Sequence, residues 1–167
     1  RLSAYRDERL AFGCGLLDFA GGGVVHLTGG VAALAAAWSV GPRDNKYTSR
    51  GDPVPMRQQS VVLQVLGTLT LWLGWFAFNG GSVLSASRAG IAAHACFTTT
   101  LSGAAACLST GVFFYATKRR VDPAAACNGI LAGLVAITPG CATSNALGAV
   151  LTGLVAGPLD GASAHFA

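Results

Sequence analysis

Four runs free of Asp, Glu, Lys and Arg dominate this sequence: residues 19–42, 58–87, 89–117 and 123–159. A helix crosses a bilayer with about 20 mostly apolar residues, so each of the first three runs has room for one crossing. The fourth is longer and is broken near Pro139, Gly140, Ser144 and Asn145, which divides it into a full crossing and a shorter one. The expected fold is all-α, a polytopic transmembrane helix bundle with crossings at 19–40, 61–84, 91–117, 124–141 and 145–159. The last of these is short for a crossing. Only 11% of the residues are charged, against about 25% in soluble domains.

The formal net charge is +4. In a soluble chain that would suggest nucleic acid. Here the basic residues sit in connections, so topology explains them and no nucleic-acid partner is expected. Arg43, Lys46, Arg50 and Arg57 follow the first crossing, and Lys118, Arg119 and Arg120 follow the third. The connection between the second and third has only Arg88, and none follows the fourth. The positive-inside rule places the two basic connections in the cytoplasm. Arg1, Arg6 and Arg9 run against this pattern, and the neighbouring Asp7 and Glu8 count little in the rule. The connection 41–60 carries Pro42, Gly51, Pro53 and Pro55 and reads as irregular.

The five cysteines, Cys14, Cys96, Cys107, Cys127 and Cys141, have neither CxxC nor zinc spacing. They read as small packing residues, and no metal or cofactor is expected. A signal peptide is not recognisable, and the opening R-L-S-A-Y-R without Met reads as a fragment. The 23 glycines fall mostly inside the apolar runs. Gly129/Gly133 and Gly153/Gly157 have GxxxG spacing, which lets helix backbones approach closely in lipid.

Ionisable residues at membrane depth are costly and mark functional sites. Asp18 stands at the mouth of the first run and His26 lies inside it, in D-F-A-G-G-G-V-V-H. On a straight helix the two would be about 12 Å apart along the axis and about 80° apart around it, so they would not pair. Asp18 also suits a helix N-cap, and capping and function can coexist. The alternative for His26 is a polar residue satisfied by a neighbouring helix. In the second run, Trp72, Trp75, Phe76 and Phe78 precede Asn79, Gly80, Gly81 and Ser82. This suits either an aromatic belt at the outer interface or a cation site built from ring faces and a hydroxyl. His94 reads as interfacial and His165 as part of a solvated terminus. His26 has no spaced Cys, His or Glu companions, so no enzyme is expected.

Three motifs, in this order, resemble the ammonium transporter/Rh family, and ammonium transporters more than Rh glycoproteins. Asp18 to His26 resembles the start of the family's fifth helix. G-W-F-A-F-N-G-G-S, Gly74 to Ser82, resembles its sixth, and N-G-I-L-A-G-L-V-A-I-T-P-G-C, Asn128 to Cys141, its eighth. The resemblance runs from the loop before the fifth helix into the ninth. It implies an eleven-helix fold in two inverted repeats, an external N-terminus and a homotrimer in a bilayer, the plasma membrane or a bacterial inner membrane.

By the same resemblance, His26 matches the first of two pore histidines, and Asp18 the aspartate that supports the external ammonium site. Trp75 and Ser82 match recruitment-site positions, Phe78 one of two gating phenylalanines, and Thr138 a pore-lining threonine. G-A-S-A-H, Gly161 to His165, faintly resembles the run ending at the second pore histidine, which makes His165 a candidate for it. The implied function is ammonium capture at an outer aromatic site, deprotonation, and passage of ammonia along histidines. The alternative is an ammonium sensor on the same fold. The family's first four helices and last two have no counterpart here, so this stretch alone is expected to be inactive.

Overall fold

The computed structural model describes residues 16–54, 56 and 58–166, with the side chains of 164–166 excepted. Arg1, Arg6, Arg9, Cys14, Arg57 and the His165 side chain fall outside the described residues. Within them the chain is helical, and five helices are long and apolar enough to cross a membrane. Helices suit this setting because hydrocarbon offers no partner for backbone N–H and C=O groups, and a helix satisfies its own.

The first crossing begins as a π-turn, Gly22–Leu27, and continues as α1, Thr28–Val40. The second is α2, Val61–Gly81, capped by the Ser60 hydroxyl, which accepts from the Leu63 amide. A short 3-10 turn, Ala86–Arg88, leads into α3, Ala89–Lys118. Next comes α4, Pro123–Ile137, with Pro at its first position and the Asp122 carboxylate accepting from the Ala124 and Ala125 amides. It ends in a 3-10 turn, Thr138–Gly140. The last helix is α5, Ala146–Phe166.

α2 stops earlier than its apolar pattern suggests. Asn79, Gly80 and Gly81 are weak helix formers, and Leu84 sits at φ 55°, which ends the helical path. α5 runs further than the 145–159 expected, through Pro158 and Asp160. Packing holds it: a Cβ on Gly161 would stand 2.9–3.2 Å from the Phe113 and Phe114 rings of α3.

α3 is the centre of the bundle. Gly129 and Gly133 of α4 lie against its Ala106 carbonyl and Ser102 carbonyl, and Gly153 and Gly157 of α5 lie against the same stretch. A Cβ on Gly133 would meet Ser102 O at 2.6 Å, so the two GxxxG pairs grip Ser102–Thr110 at backbone distance. Hydrogen bonds reinforce the grip: Ser102 Oγ donates to Gly133 O at 2.8 Å, and Thr98 Oγ1 donates to Cys141 O at 2.6 Å. The contacts also fix direction. Gln64 of α2 reaches Ala124 at the start of α4, and Ser109 of α3 reaches Gly153 of α5. Gly129 lies at Thr110 and Gly133 at Ser102, so α4 runs antiparallel to α3; Gly153 lies at Ser102 and Gly161 at Phe113, so α5 runs parallel to it. Gln58, Lys118, Asp122 and Asp160 gather at one end of the bundle.

The loop after α1 is more ordered than its prolines suggest. Thr48 and Asp52 are joined by a backbone bond of 2.8 Å, Val54 N–H donates to Lys46 O at 2.8 Å, and Tyr47 pairs with Pro53. α1 itself buries no residue, and Trp38 is 88% exposed.

Candidate functional site

The site is organised by the turn Thr138–Gly140 that ends α4. Thr138 is fully buried, and its hydroxyl donates to Leu134 O at 2.7 Å while accepting from Trp75 Nε1 at 3.0 Å. One residue on, the Pro139 carbonyl accepts from Phe19 N–H at 2.8 Å. The Pro139 ring packs on Gly22 so closely that a Cβ there would collide with it. The same turn thus orients the Trp75 indole and seats the segment entering the first crossing.

The three glycines of that segment do different work. Gly21 has φ +92°, a left-handed conformation that costs little only for glycine. Gly22 admits the proline ring. Gly23 is capped: its N–H donates to Asp18 Oδ2 at 2.9 Å, and Val24 N–H donates to the same oxygen at 3.2 Å. Asp18 therefore acts as a helix cap from outside the helix. Residues 18–21 fold back over the start of the π-turn, so the straight-helix separation expected between Asp18 and His26 does not apply.

His26 lies in the π-turn. Single π-turns concentrate at functional positions because the wider turn redirects side chains. The His26 ring stacks on Trp75, with centroids 5.1 Å apart and planes 12° apart. Phe78 closes the group at 5.5 Å from His26 and 5.7 Å from Trp75. His26 Nε2 is buried and has no hydrogen-bond partner among the described residues. The reading of His26 as a polar residue satisfied by a neighbouring helix is thus not what the geometry displays. A buried polar atom without a partner loses about 1–3 kcal/mol.

Asp18 and Ser82 meet at a different level. They line a cleft of about 220 Å³ with Phe19, Val25 and Leu84. Asp18 is 6% exposed, and its Oδ1 is buried without a partner among the described residues. Ser82 Oγ donates to Phe78 O at 2.6 Å, leaving its lone pairs free to accept. Trp75 does not line this cleft. It lies seven residues before Ser82, about 10 Å deeper along α2, and belongs with His26.

The belt reading fails for the indoles. Trp75 N–H is bonded inside the protein, and Trp72 Nε1 is buried without a partner among the described residues, near Gly103 of α3. His94 is not merely interfacial: its Nε2 donates to Ser144 O at 2.8 Å, tying α3 to the turn before α5. Asn79, fully buried, donates from Nδ2 to Thr99 Oγ1 at 2.8 Å. Sequence reading missed Phe19, Pro139 and these two ties. The T-P-G that ends α4 signals a turn, but nothing local says what that turn holds.

Comparison with known proteins gives a consistent result. A family profile described as the Ammonium Transporter Family matches residues 5–165. Ammonium transporter Amt2 of Archaeoglobus fulgidus is 42% identical over 149 residues, taking in 89% of this chain and 32% of that protein. Ammonium transporter 1 member 2 of Arabidopsis thaliana is 39% identical over 161 residues, with 90% and 31% covered. Among solved structures, one described as a Sensor Amt Protein superposes with a TM-score of 0.83 at 41% identity, covering 91% of this chain and 37% of that one. Saccharomyces cerevisiae Mep2 gives 0.74 at 37% identity, covering 89% and 34%. The chain spans about a third of the length of the relatives it matches.

Proposed function

The chain belongs to the ammonium transporter family, and from that premise we propose that it forms one wall of an ammonium path through a membrane. The observation that carries this reading is the buried, unpartnered His26 Nε2 held against Trp75 and Phe78. In this reading the Asp18–Ser82 cleft is the entrance. Asp18 attracts the cation by its charge, from the wall of the cleft. The Ser82 hydroxyl accepts a hydrogen bond from ammonium, and the Phe78 ring presents an attractive face to the cation.

Desolvating a small cation in hydrocarbon is expensive, whereas a neutral amine avoids most of that cost. Ammonium therefore gives up a proton near the entrance. Ammonia passes Phe78 and hydrogen-bonds at His26 Nε2. Trp75 keeps the imidazole flat against the wall, and Thr138 keeps Trp75 in place. α1 buries none of its residues, which supports a path whose far wall comes from helices outside this stretch. A trimer, as the family resemblance implies, would add further partners.

A second reading, an ammonium sensor on the same fold, is favoured by the superposition on the protein described as a Sensor Amt Protein. Yeast lacking its own ammonium transporters separates the readings. The complete protein is expected to restore growth on low ammonium, and the 167-residue stretch alone is not. Growth from the stretch alone would contradict the two-wall path. A complete protein that reaches the membrane, binds ammonium and supports no growth would favour the sensor.

A further inference from the structure

We propose that Thr98 and Thr99 of α3 are positioning residues for the ammonium path: together they set the Trp75–Thr138 hydrogen bond behind the His26 stack. The inference rests on the path reading above. It brings into that reading a helix that gives no side chain to the stack or to the Asp18–Ser82 cleft.

Both threonines are fully buried. A buried hydroxyl is costly unless bonded, and a helical threonine has a carbonyl of its own preceding turn within reach. The exposed Thr100 uses only that bond, donating to Cys96 O at 2.9 Å. Thr98 and Thr99 reach other elements. Thr98 Oγ1 lies 2.6 Å from Cys141 O, nearer than the His94 and Ala95 carbonyls of its own helix at 3.2 and 3.1 Å. Its single proton therefore serves the turn that ends α4. Thr99 Oγ1 gives its proton to Ala95 O at 2.6 Å, which leaves lone pairs to accept from Asn79 Nδ2 at 2.8 Å.

Neighbouring helical residues point about 100° apart, so an adjacent pair holds two partners at once. Cys141 directly follows the turn Thr138–Gly140, and Asn79 stands one helical turn after Trp75. α3 thus grips the α4 turn through Thr98 and α2 through Thr99. Between those two grips runs the bond from Trp75 Nε1 to Thr138 Oγ1 at 3.0 Å. Branching at Cβ restricts χ1 and keeps both hydroxyls in place. Ser102 supplies the comparison. It makes the same kind of bond, to Gly133 O at 2.8 Å, but in the body of α4 before the turn.

The test pairs ammonium uptake by the complete protein in proteoliposomes with NMR of the Trp75 indole N–H, assigned by its loss in Trp75→Phe. Thr98→Val leaves the buried Cys141 carbonyl without its donor, and Thr99→Val leaves the Asn79 amide without its acceptor. Each is expected to move the Trp75 resonance and to lower uptake several-fold per folded protein. The two variants cut different partners, so either one alone, if folded, decides the test. Thr98→Ser keeps the hydroxyl and should restore both readouts. Ser102→Ala should lower thermal stability and move neither the resonance nor the uptake. An unmoved Trp75 resonance in a folded valine variant, or an equal movement in Ser102→Ala, would overturn the proposal. So would a moved resonance with full uptake. His26→Ala separates that last result from a failure of the path reading. Uptake lost there leaves the path standing without the two threonines; uptake kept there takes the path reading down as well.

Discussion

α1 and the α3–α4–α5 cluster are made of similar material and end in opposite conditions. Both are rich in glycine and alanine, and the crossing Gly22–Val40 that contains α1 is, like those of the cluster, long enough to span a bilayer. In the cluster, Gly133 and Gly153 meet the backbone of α3, and a Cβ on either would have to push it aside. In α1, a Cβ on Gly29 or Gly30 would meet nothing within 4 Å. Lipid chains are as apolar as leucine, so burial alone does not drive helices together in a membrane, and small residues are useful only where a second backbone seats against them. The cluster is a finished interface. α1 presents the same kind of surface with no helix seated on it among the described residues, and it continues from the π-turn that carries His26.

The most severe way to break this contrast is a bulky residue in each region. Gly133→Leu in the complete protein is expected to cost about 3 kcal/mol through overpacking and to remove most folded material, read as thermal unfolding in detergent. Gly30→Leu should leave the helicity of the 167-residue stretch unchanged and destabilise the complete protein by about 1–3 kcal/mol. An equally tolerant complete protein would mean that α1 faces lipid throughout.

Two smaller changes probe how the π-turn and the cluster are joined. Thr138→Val removes the acceptor for Trp75 and should cost about 1 kcal/mol. Ammonium uptake should fall several-fold as the stack on His26 loosens; full uptake would show that Trp75 needs no such hold. Asp18→Asn keeps an oxygen for the Gly23 and Val24 amides, so stability should fall by less than the roughly 1 kcal/mol expected of Asp18→Ala. Uptake should fall in both variants. Unchanged uptake in Asp18→Asn would reduce Asp18 to a cap.

The same contrast separates what was legible in the sequence from what was not. Charge placement alone exposes the crossings and the basic side, because a buried charge is costly anywhere in hydrocarbon. The GxxxG spacings are visible too, but not that α4 and α5 use theirs on one stretch of α3. The π-turn is invisible to a reading based on 3.6 residues per turn, since it adds a residue to one turn and changes no composition. A straight helix also misplaces Asp18 relative to His26, because residues 18–21 turn back at the left-handed Gly21 and lie outside the helix. The types and family motifs name the residues of the candidate site, but they do not give their grouping. Trp75 bonds to Thr138 across 63 positions, and no local signal separates the Trp75 level from the Ser82 level. The end of α5 was misjudged for a related reason: Pro158 and Asp160 signal a stop locally, and contact with Phe113 and Phe114 overrides it.

The two described histidine rings offer the most direct test of the central claim. His94 is bonded to Ser144 and ties helices together; His26 has a buried nitrogen with no partner among the described residues. Ammonium uptake should be measured in proteoliposomes of the complete protein, carrying His26→Ala or His94→Ala, alongside thermal stability. His26→Ala is expected to lower uptake at least about tenfold, the loss of about 1.4 kcal/mol along the path, with stability nearly unchanged. His94→Ala should lower stability first. Undiminished uptake by a folded His26→Ala protein would contradict the account.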